Sequence, residues 1–473
     1  MVQNSEFSKD FQKNKERIDK LLNIDKSFDM LYRVVKIGGR QACFYFIDGF
    51  CKDDVMEKVL EFLYRIPAEE MPPTAHDFLK EKLPYGEIDL VRTEDNFLQR
   101  VLSGVPILMI DGYTELLATD FRTYPARSVD EPEKDKVMRG SRDGFVETIV
   151  FNTALIRRRI RSEDLVMEMH TVGKSSRTDV VIAYMGKRAE PKMLEDIRKR
   201  VDAIDVDSLS MNQQSLAECL YQHKWYNPFP KFKFTERPDT TAASILEGSI
   251  AVLVDNSPSA MILPTSVFDI VEDADDYYFP PITGTYLRLS RLIINMLAVI
   301  LTPLFLFLIS NPEWIPSWLS FIQIKDPINV PILVQMLILE FAIDGLKLAS
   351  VNTPNMLSTP LSVVAGIILG DYTVSSGWFN SEIMLYMAFV AVANYTQVSL
   401  ELGYALKFMR VILLCLTAAF DLWGLLGGLV FVAIFIITNK TISGKSYIYP
   451  IFPFNAKQFA RRFFRVSLPK ADQ

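Results

Sequence analysis

Cysteine and histidine are scarce in this chain. Its four cysteines (Cys43, Cys51, Cys219 and Cys415) lie far apart, without the paired spacing of a zinc site or a disulfide framework, and fit a reducing compartment. The three histidines, His76, His170 and His223, have no cysteine or carboxylate at metal-ligand spacing, so neither a metal nor another cofactor is expected. There is no Gly-x-Ser-x-Gly elbow. Gly140-Ser-Arg-Asp-Gly144 lacks both the spacing of a phosphate loop and a preceding apolar strand, and reads as a turn. Carboxylates do not cluster in a plausible metal geometry either, so a membrane-anchored phosphohydrolase or cyclase is disfavoured and no enzyme is expected. Positive charge is also short: 51 Lys+Arg face 57 Asp+Glu, a net charge of −6, which argues against nucleic acid as a partner. The first residues lack an apolar stretch behind a basic start, so the soluble part is expected to stay in the cytoplasm.

What the chain does have is a break near residue 288, where charged, mixed sequence gives way to apolar bands. Leu292 to Ser310 is a run of 19 residues without a charge, enough at about 1.5 Å per residue to cross most of a hydrocarbon core. The expected fold is therefore an α+β cytoplasmic head of two small subdomains, followed by an α-helical polytopic membrane domain.

Residues 1–27 are polar and read as a flexible N-terminal segment with at most a short helix. Subdomain 1, residues 28–127, opens with a hairpin, Tyr32–Ile37 and Ala42–Ile47 about Gly38-Gly39. It continues as helix Val55–Tyr64, strand Ile88–Arg92, helix Asp95–Leu102 and strand Pro106–Ile110. An acidic, proline-containing linker (128–140) leads to subdomain 2, residues 141–285. There, helix Gly144–Arg161 precedes strands Leu165–Val172 and Asp179–Met185 and helix Pro191–Ala203. Helix Thr241–Leu246 and the hairpin Ser249–Val254/Ala260–Pro264 close it. Two units of similar element order suggest a structural duplication without a sequence repeat. Residues 286–455 form the membrane domain, with spans near 290–310, 358–377, 383–400 and 411–438. Val330–Ser350 is a fifth, ambiguous stretch because Glu340, Asp344 and Lys347 share one helical face. A basic tail, 456–473 (Lys457, Arg461, Arg462, Arg465), belongs on the cytoplasmic side with the head.

Within the apolar bands Asp371 and Asp421 stand out, with Glu340, Asp344 and Glu401 near boundaries. A carboxylate in lipid is costly unless protonated, paired or facing water, so each marks either an ion path or a structural pair. Gly366-xxx-Gly370 and Gly424-xxx-Gly428 let helices approach closely. Hydroxyls in span 358–377 suit a channel lining, which four or five helices enclose only as part of a symmetric ring of subunits. In the head, Arg157-Arg158-Arg159-Ile-Arg161 is the densest charge cluster. It reads as a helix terminus with salt bridges inside the head or to a neighbouring subunit, or as a contact for phosphate or lipid headgroups.

The run Gly140-SRDGFVETIVFNTALIRRRIR-Ser162, with Val172-GKSSRTDVVIAYM-Met185 and Val201–Leu209, resembles the A subunit of the GerA family of spore germinant receptors. Leu337–Val351, Val364–Val374 and Tyr447–Asn455 follow in that family's order. Ser141 and FVETIVFNTALI are closer to the branch encoded with stage V sporulation proteins than to nutrient-sensing subunits. The resemblance implies residence in the spore inner membrane, head and tail on the cytoplasmic or spore-core side, and a homo-oligomeric ring, a pentamer in the family. It also implies work beside other germination membrane proteins and membrane lipids, and conduction of monovalent cations early in germination. On this reading Val363, Gly366, Ile367, Gly370 and Asp371 line the pore, and Glu340 and Asp344 place negative charge at its mouth. Asp421 belongs to the ion path, Gly424 and Gly428 pack helices, and Arg157, Arg158, Arg159 and Arg161 sit at subunit contacts. The rival is a non-conducting scaffold or signalling subunit of the germination machinery.

Overall fold

A computed structural model of the chain describes residues 6–83, 87–123, 140–221, 224–352, 366 and 372–465. The linker near 128–136 and most of span 358–377 lie outside these. The chain forms two compact units, one of residues 1–223 with 232–264, the other of residues 224–231 with 265–473.

The first unit contains one arrangement twice. Its first half runs α1 (Phe11–Leu21), β1 (Met30–Ile37), β2 (Arg40–Ile47), α2 (Asp53–Tyr64), α3 (Ala75–Glu81), β3 (Ile88–Val91), α4 (Glu94–Leu102), β4 (Ile107–Ile110) and β5 (Leu116–Thr119). Its second runs α5 (Ile149–Arg159), β6 (Leu165–Val172), β7 (Thr178–Met185), α6 (Pro191–Asp202), α7 (Asn212–Leu220), β8 (Lys233–Thr235), α8 (Pro238–Leu246), β9 (Ile250–Val254) and β10 (Ala260–Leu263). Helices and strands alternate identically. Strand order agrees too: β1-β2-β4-β5-β3 in one antiparallel sheet, β6-β7-β9-β10-β8 in the other. The duplication suggested by element order thus extends to sheet topology.

Local chemistry explains the elements. Gly38 and Gly39 both take positive φ (52° and 79°), the two-residue turn that matches strand twist, and so set the β1–β2 register. Inner strands such as Ile107–Ile110 and Ile250–Val254 are apolar at every position because helices cover both faces. In β2, Cys43, Tyr45 and Ile47 face the α1 and α4 side, while Ala42 and Phe44 face α2 and α3. The short strands β5 and β8 and the helices α3 and α7 have weaker sequence signatures and were not anticipated.

Within the segment 1–27, residues 7–22 correct the flexible reading. Asp10 caps α1, and Phe7, Phe11, Ile18 and Leu22 are buried with Phe97 and Val101 of α4. Few apolar residues are present, but their spacing of four and seven puts them on one helical face. The strand after it is tied to the second sheet: the Phe28 amide donates to Met167 O (3.0 Å), and the Met167 amide donates to Ser27 Oγ (3.0 Å).

Apart from residues 224–231, the second unit runs from Thr265 onward. Its elements are α9 (Val267–Val271), α10 (Asp275–Tyr278), α11 (Pro281–Ser310), α12 (Ile332–Asn352), α13 (Ser381–Tyr395), α14 (Leu400–Thr438) and α15 (Ala456–Phe463). The two short helices belong here because their acids hold the start of α11. Arg288 donates to Glu272 (2.7 Å), and Arg291 grips both oxygens of Asp276 (2.8 and 3.0 Å). The tail joins the same collar, where Arg462 pairs with Glu272 and Asp269 and the Phe463 ring lies 5.2 Å from Phe268. Its described part is thus a docked amphipathic helix.

Candidate functional site

Two helices, α11 and α14, are long and apolar enough to cross a membrane; α13 is apolar but only 15 residues long. The α14 run is two helices. Asp421 takes φ 52° and ψ −126°, and the chain reverses there. Gly428 then lies against Leu413 and Leu416, residues that a straight helix would place about 18 Å or more away. Val432, Phe435 and Ile436 pack with Leu402, Ala405 and Met409, as in an antiparallel pair. Gly424 sits where any Cβ would overlap the Leu416 carbonyl, so glycine is required at the vertex.

The same contacts give the direction of every described long helix in this unit. Leu292 and Ala298 of α11, and Asn311 just after its C-terminus, meet Leu402, Arg410 and Asp421 in sequence, so α11 and the first arm of α14 run parallel. The C-terminal end of α11 (Phe305, Leu306) clusters with the N-terminal ends of α12 (Met336, Leu339) and α13 (Ile383, Met387), so these two return. Gln335 and Asn380 lock those N-terminal ends together: Asn380 N donates to Gln335 Oε1 and Gln335 Nε2 to Asn380 Oδ1, both 2.9 Å.

Halfway along, the charged face of α12 meets the first arm of α14. Arg410 is 0% exposed and Glu340 3%. Arg410 Nε and Nη2 donate to the two Glu340 carboxylate oxygens at 2.6 and 2.9 Å, and Nη1 donates to the Ala298 carbonyl of α11 at 2.9 Å. One helical turn away Lys407 pairs with Asp344 and also reaches the Glu340 carbonyl at 3.4 Å. The Lys347 ammonium lies over the rings of Tyr395 (5.8 Å) and Tyr404 (5.5 Å). Three helices are pinned by one guanidinium. A charge at the centre of a membrane helix costs about 3 kcal/mol or more, and pairing on both carboxylate oxygens offsets much of that.

Glu340 and Asp344 do come together, but each is neutralised within the chain by Arg410 or Lys407 and does not present open negative charge. Asp421 corrects its reading as a carboxylate inside an apolar span, since it is exposed at the reversal and accepts from Asn311 Nδ2 at 2.7 Å. The positive φ there, invisible in a hydropathy profile, puts it at a helix end. Gly366 has no atom against its Cβ position within 4 Å. Val363, Ile367, Gly370 and Asp371 lie outside the described residues.

In the head, Arg157 corrects the subunit-contact expectation. It is 0% exposed and held inside its own chain, Nε and Nη2 on Asp29 (2.7 and 3.0 Å), Nη1 on the Ser162 and Leu165 carbonyls (3.2 and 3.1 Å). Arg159 pairs with Asp143 and Ser141 (2.9 and 3.0 Å). Arg158 and Arg161 are exposed. A second polar cluster, unforeseen, joins β6, β7 and α6. Arg198 donates to both oxygens of Glu168 (2.5 and 2.7 Å), Tyr184 donates to Glu168 (2.5 Å), and His170 stands between Glu168 and Asp202. Burial works against the Glu168 carboxylate, but the nearby His170 imidazole and the hydrogen bonds from Arg198 and Tyr184 prevail and hold its pKa down to about 2. The Glu168 carboxylate, 3.9 Å away, raises His170, opposed by burial and helped by Asp202 at 3.2 Å. Ser175 Oγ donates to Asp207 Oδ1 (2.5 Å), joining the β6–β7 turn to the loop after α6. Among the described residues no three His, Cys, Asp or Glu side chains gather as a metal set.

The model of the Bacillus/Clostridium GerA spore germination protein family matches residues 16–473. The chain belongs to the GerA family. It is 34% identical to Stage V sporulation protein AF of Bacillus subtilis (strain 168) over 97% of this chain and 93% of that protein. It is 24% identical to Spore germination protein KA of the same strain, over 94% of this chain and 82% of that one. A crystal structure of the N-terminal domain of the A subunit of the Bacillus megaterium spore germinant receptor GerK3 covers 55% of this chain and 97% of its own, with 25% identity and a TM-score of 0.42. Membership ties this GerA-family chain to spore germination and sporulation, and its two long apolar helices to a membrane.

Proposed function

We propose that this chain is a multi-pass subunit of an oligomeric complex in the spore inner membrane that releases monovalent cations during germination. The observation that carries this is the charged seam of Glu340, Asp344, Lys407 and Arg410 between helices whose remaining surface is apolar, since ionisable groups are retained at such depth for transport or switching far more often than for stability. The α12 helix crosses with the others, and the α14 hairpin adds a crossing to the four or five read from hydropathy. Head and tail lie on the cytoplasmic or spore-core side. The segment 358–377, with Val363, Gly366, Ile367, Gly370 and Asp371, lines the path in a ring of identical subunits. Arg158 and Arg161, the exposed members of the arginine cluster, lie at subunit contacts.

Full neutralisation of Glu340 and Asp344 within one chain favours a second reading, a non-conducting scaffold for other germination membrane proteins. Purified full-length protein reconstituted in potassium-loaded liposomes separates the two. Cation flux above empty vesicles, from particles whose mass is a multiple of 54.0 kDa, is expected. A single-copy particle without flux refutes the conducting reading.

A further inference from the structure

We infer that the Glu340 carboxylate is a binding position for a desolvated monovalent cation, occupied in this arrangement by the protein's own Arg410 guanidinium. Resting on the conducting role proposed above, this adds where a passing ion is held and what keeps it out. Both carboxylate oxygens are engaged by Arg410 Nε and Nη2, and the pair is shut off from solvent. The cations and the carboxylates come from different helices: Arg410 and Lys407 from the first arm of α14, Glu340 and Asp344 from α12. Movement of either helix along or away from the other withdraws both cations together. It uncovers two carboxylates one helical turn apart on one face, a spacing of about 6 Å. Stability alone does not account for the seam, because buried ion pairs are commonly replaced by apolar residues at no loss. Nor does Arg410 serve only Glu340. Its third bond, to the Ala298 carbonyl, anchors the plug on α11, so the site opens when α12 shifts relative to α11 and the first arm of α14 together. A guanidinium is weakly hydrated and suits such a dry position, whereas potassium or sodium entering it needs the carboxylate oxygens in place of water.

The test uses the full-length chain in detergent, with unfolding of the second unit followed by tryptophan fluorescence. All five tryptophans lie in that unit. Wild type, Arg410→Ala and Glu340→Gln/Arg410→Ala are melted in choline, potassium or methylguanidinium chloride at equal ionic strength. Arg410→Ala is expected to unfold below wild type in choline and to recover saturably in potassium and further in methylguanidinium, while the double variant melts alike in all three. Equal melting of Arg410→Ala in every salt, or an equal salt response in the double variant, overturns the site. Should Arg410→Ala fail to fold in choline, its recovery when methylguanidinium is present during solubilisation supports the site. Failure in every salt while the double variant folds overturns it. In liposomes Arg410→Ala is expected to leak potassium several-fold faster than wild type. A retained salt response without any leak refutes conduction and leaves the cation position standing.

Discussion

Arg157 offers a sharp test because two readings of it predict opposite things. As a subunit contact, its loss would change the mass of the assembled particle and leave the head intact. As the structure has it, Arg157→Leu strands the Asp29 carboxylate, itself 2% exposed, and removes donors from the Ser162 and Leu165 carbonyls. Breaking a buried ion pair from one side costs about 3–5 kcal/mol. The double variant Asp29→Leu/Arg157→Leu no longer buries a lone charge, but the two carbonyls remain undersupplied at about 1 kcal/mol each, so it should sit roughly 2 kcal/mol below wild type. Hydrogen exchange of the α5 and β6 backbone measures this in the intact protein. At about 1.4 kcal/mol per tenfold, the single variant should exchange on the order of 10²- to 10³-fold faster at globally protected amides, and the double only about 30-fold faster. Tryptophan fluorescence, which reports only the second unit, should not move. A single variant that exchanges within tenfold of wild type, or a double variant no better protected than the single, would refute the buried-pair account, and a changed particle mass with normal exchange would restore the contact.

Three further outcomes follow from other parts of the chain. Cysteines placed at Leu413 and Gly428 should be joined by a short bifunctional thiol reagent, because the hairpin sets them side by side; an uninterrupted helix would hold them about 22 Å apart and give no product. Gly424→Leu should destabilise the second unit by about 2 kcal/mol or more through its clash with the Leu416 backbone, and an unchanged tryptophan-monitored melt would deny the close approach. The Glu168–His170 cluster gives the head a two-sided pH dependence. Glu168 is depressed to about 2, so its contribution is present above its unfolded value near 4.3 and is lost as pH falls toward 2. His170 is raised, so its contribution is full below about 6.5 and fades as pH climbs through the folded value. Glu168→Gln should flatten both limbs of the head's denaturation profile, and a profile identical to wild type would disprove the coupling.

The order of helices and strands in the head was legible because amphipathic spacing and turn residues are local signals. The Gly38-Gly39 hairpin, the strand Leu165–Val172 and the helix from Pro191 each declare themselves within a dozen residues. Strands β5 and β8 did not, being four and three residues long and ordered by neighbours far away in sequence. The α1 helix was hidden by its polar composition, since one buried face outweighs many exposed charges only once a core exists to receive it.

In the second unit hydropathy located the apolar bands but not their geometry. A positive φ at one residue, Asp421, turns one long span into two arms and moves a carboxylate from mid-membrane to a helix end. Charge pairing was equally out of reach: Glu340 and Arg410 are 70 positions apart, Asp29 and Arg157 are 128 apart, and no periodicity links them. By itself the sequence determined where the chain enters an apolar medium, which segments are helical there, and that charges recur within them, because these follow from composition and spacing along the chain. Only the tertiary structure decided which charges cancel, for that depends on which helix faces arrive at the same place, and in a low-dielectric interior a difference of a few ångströms separates a neutral pair from a naked charge.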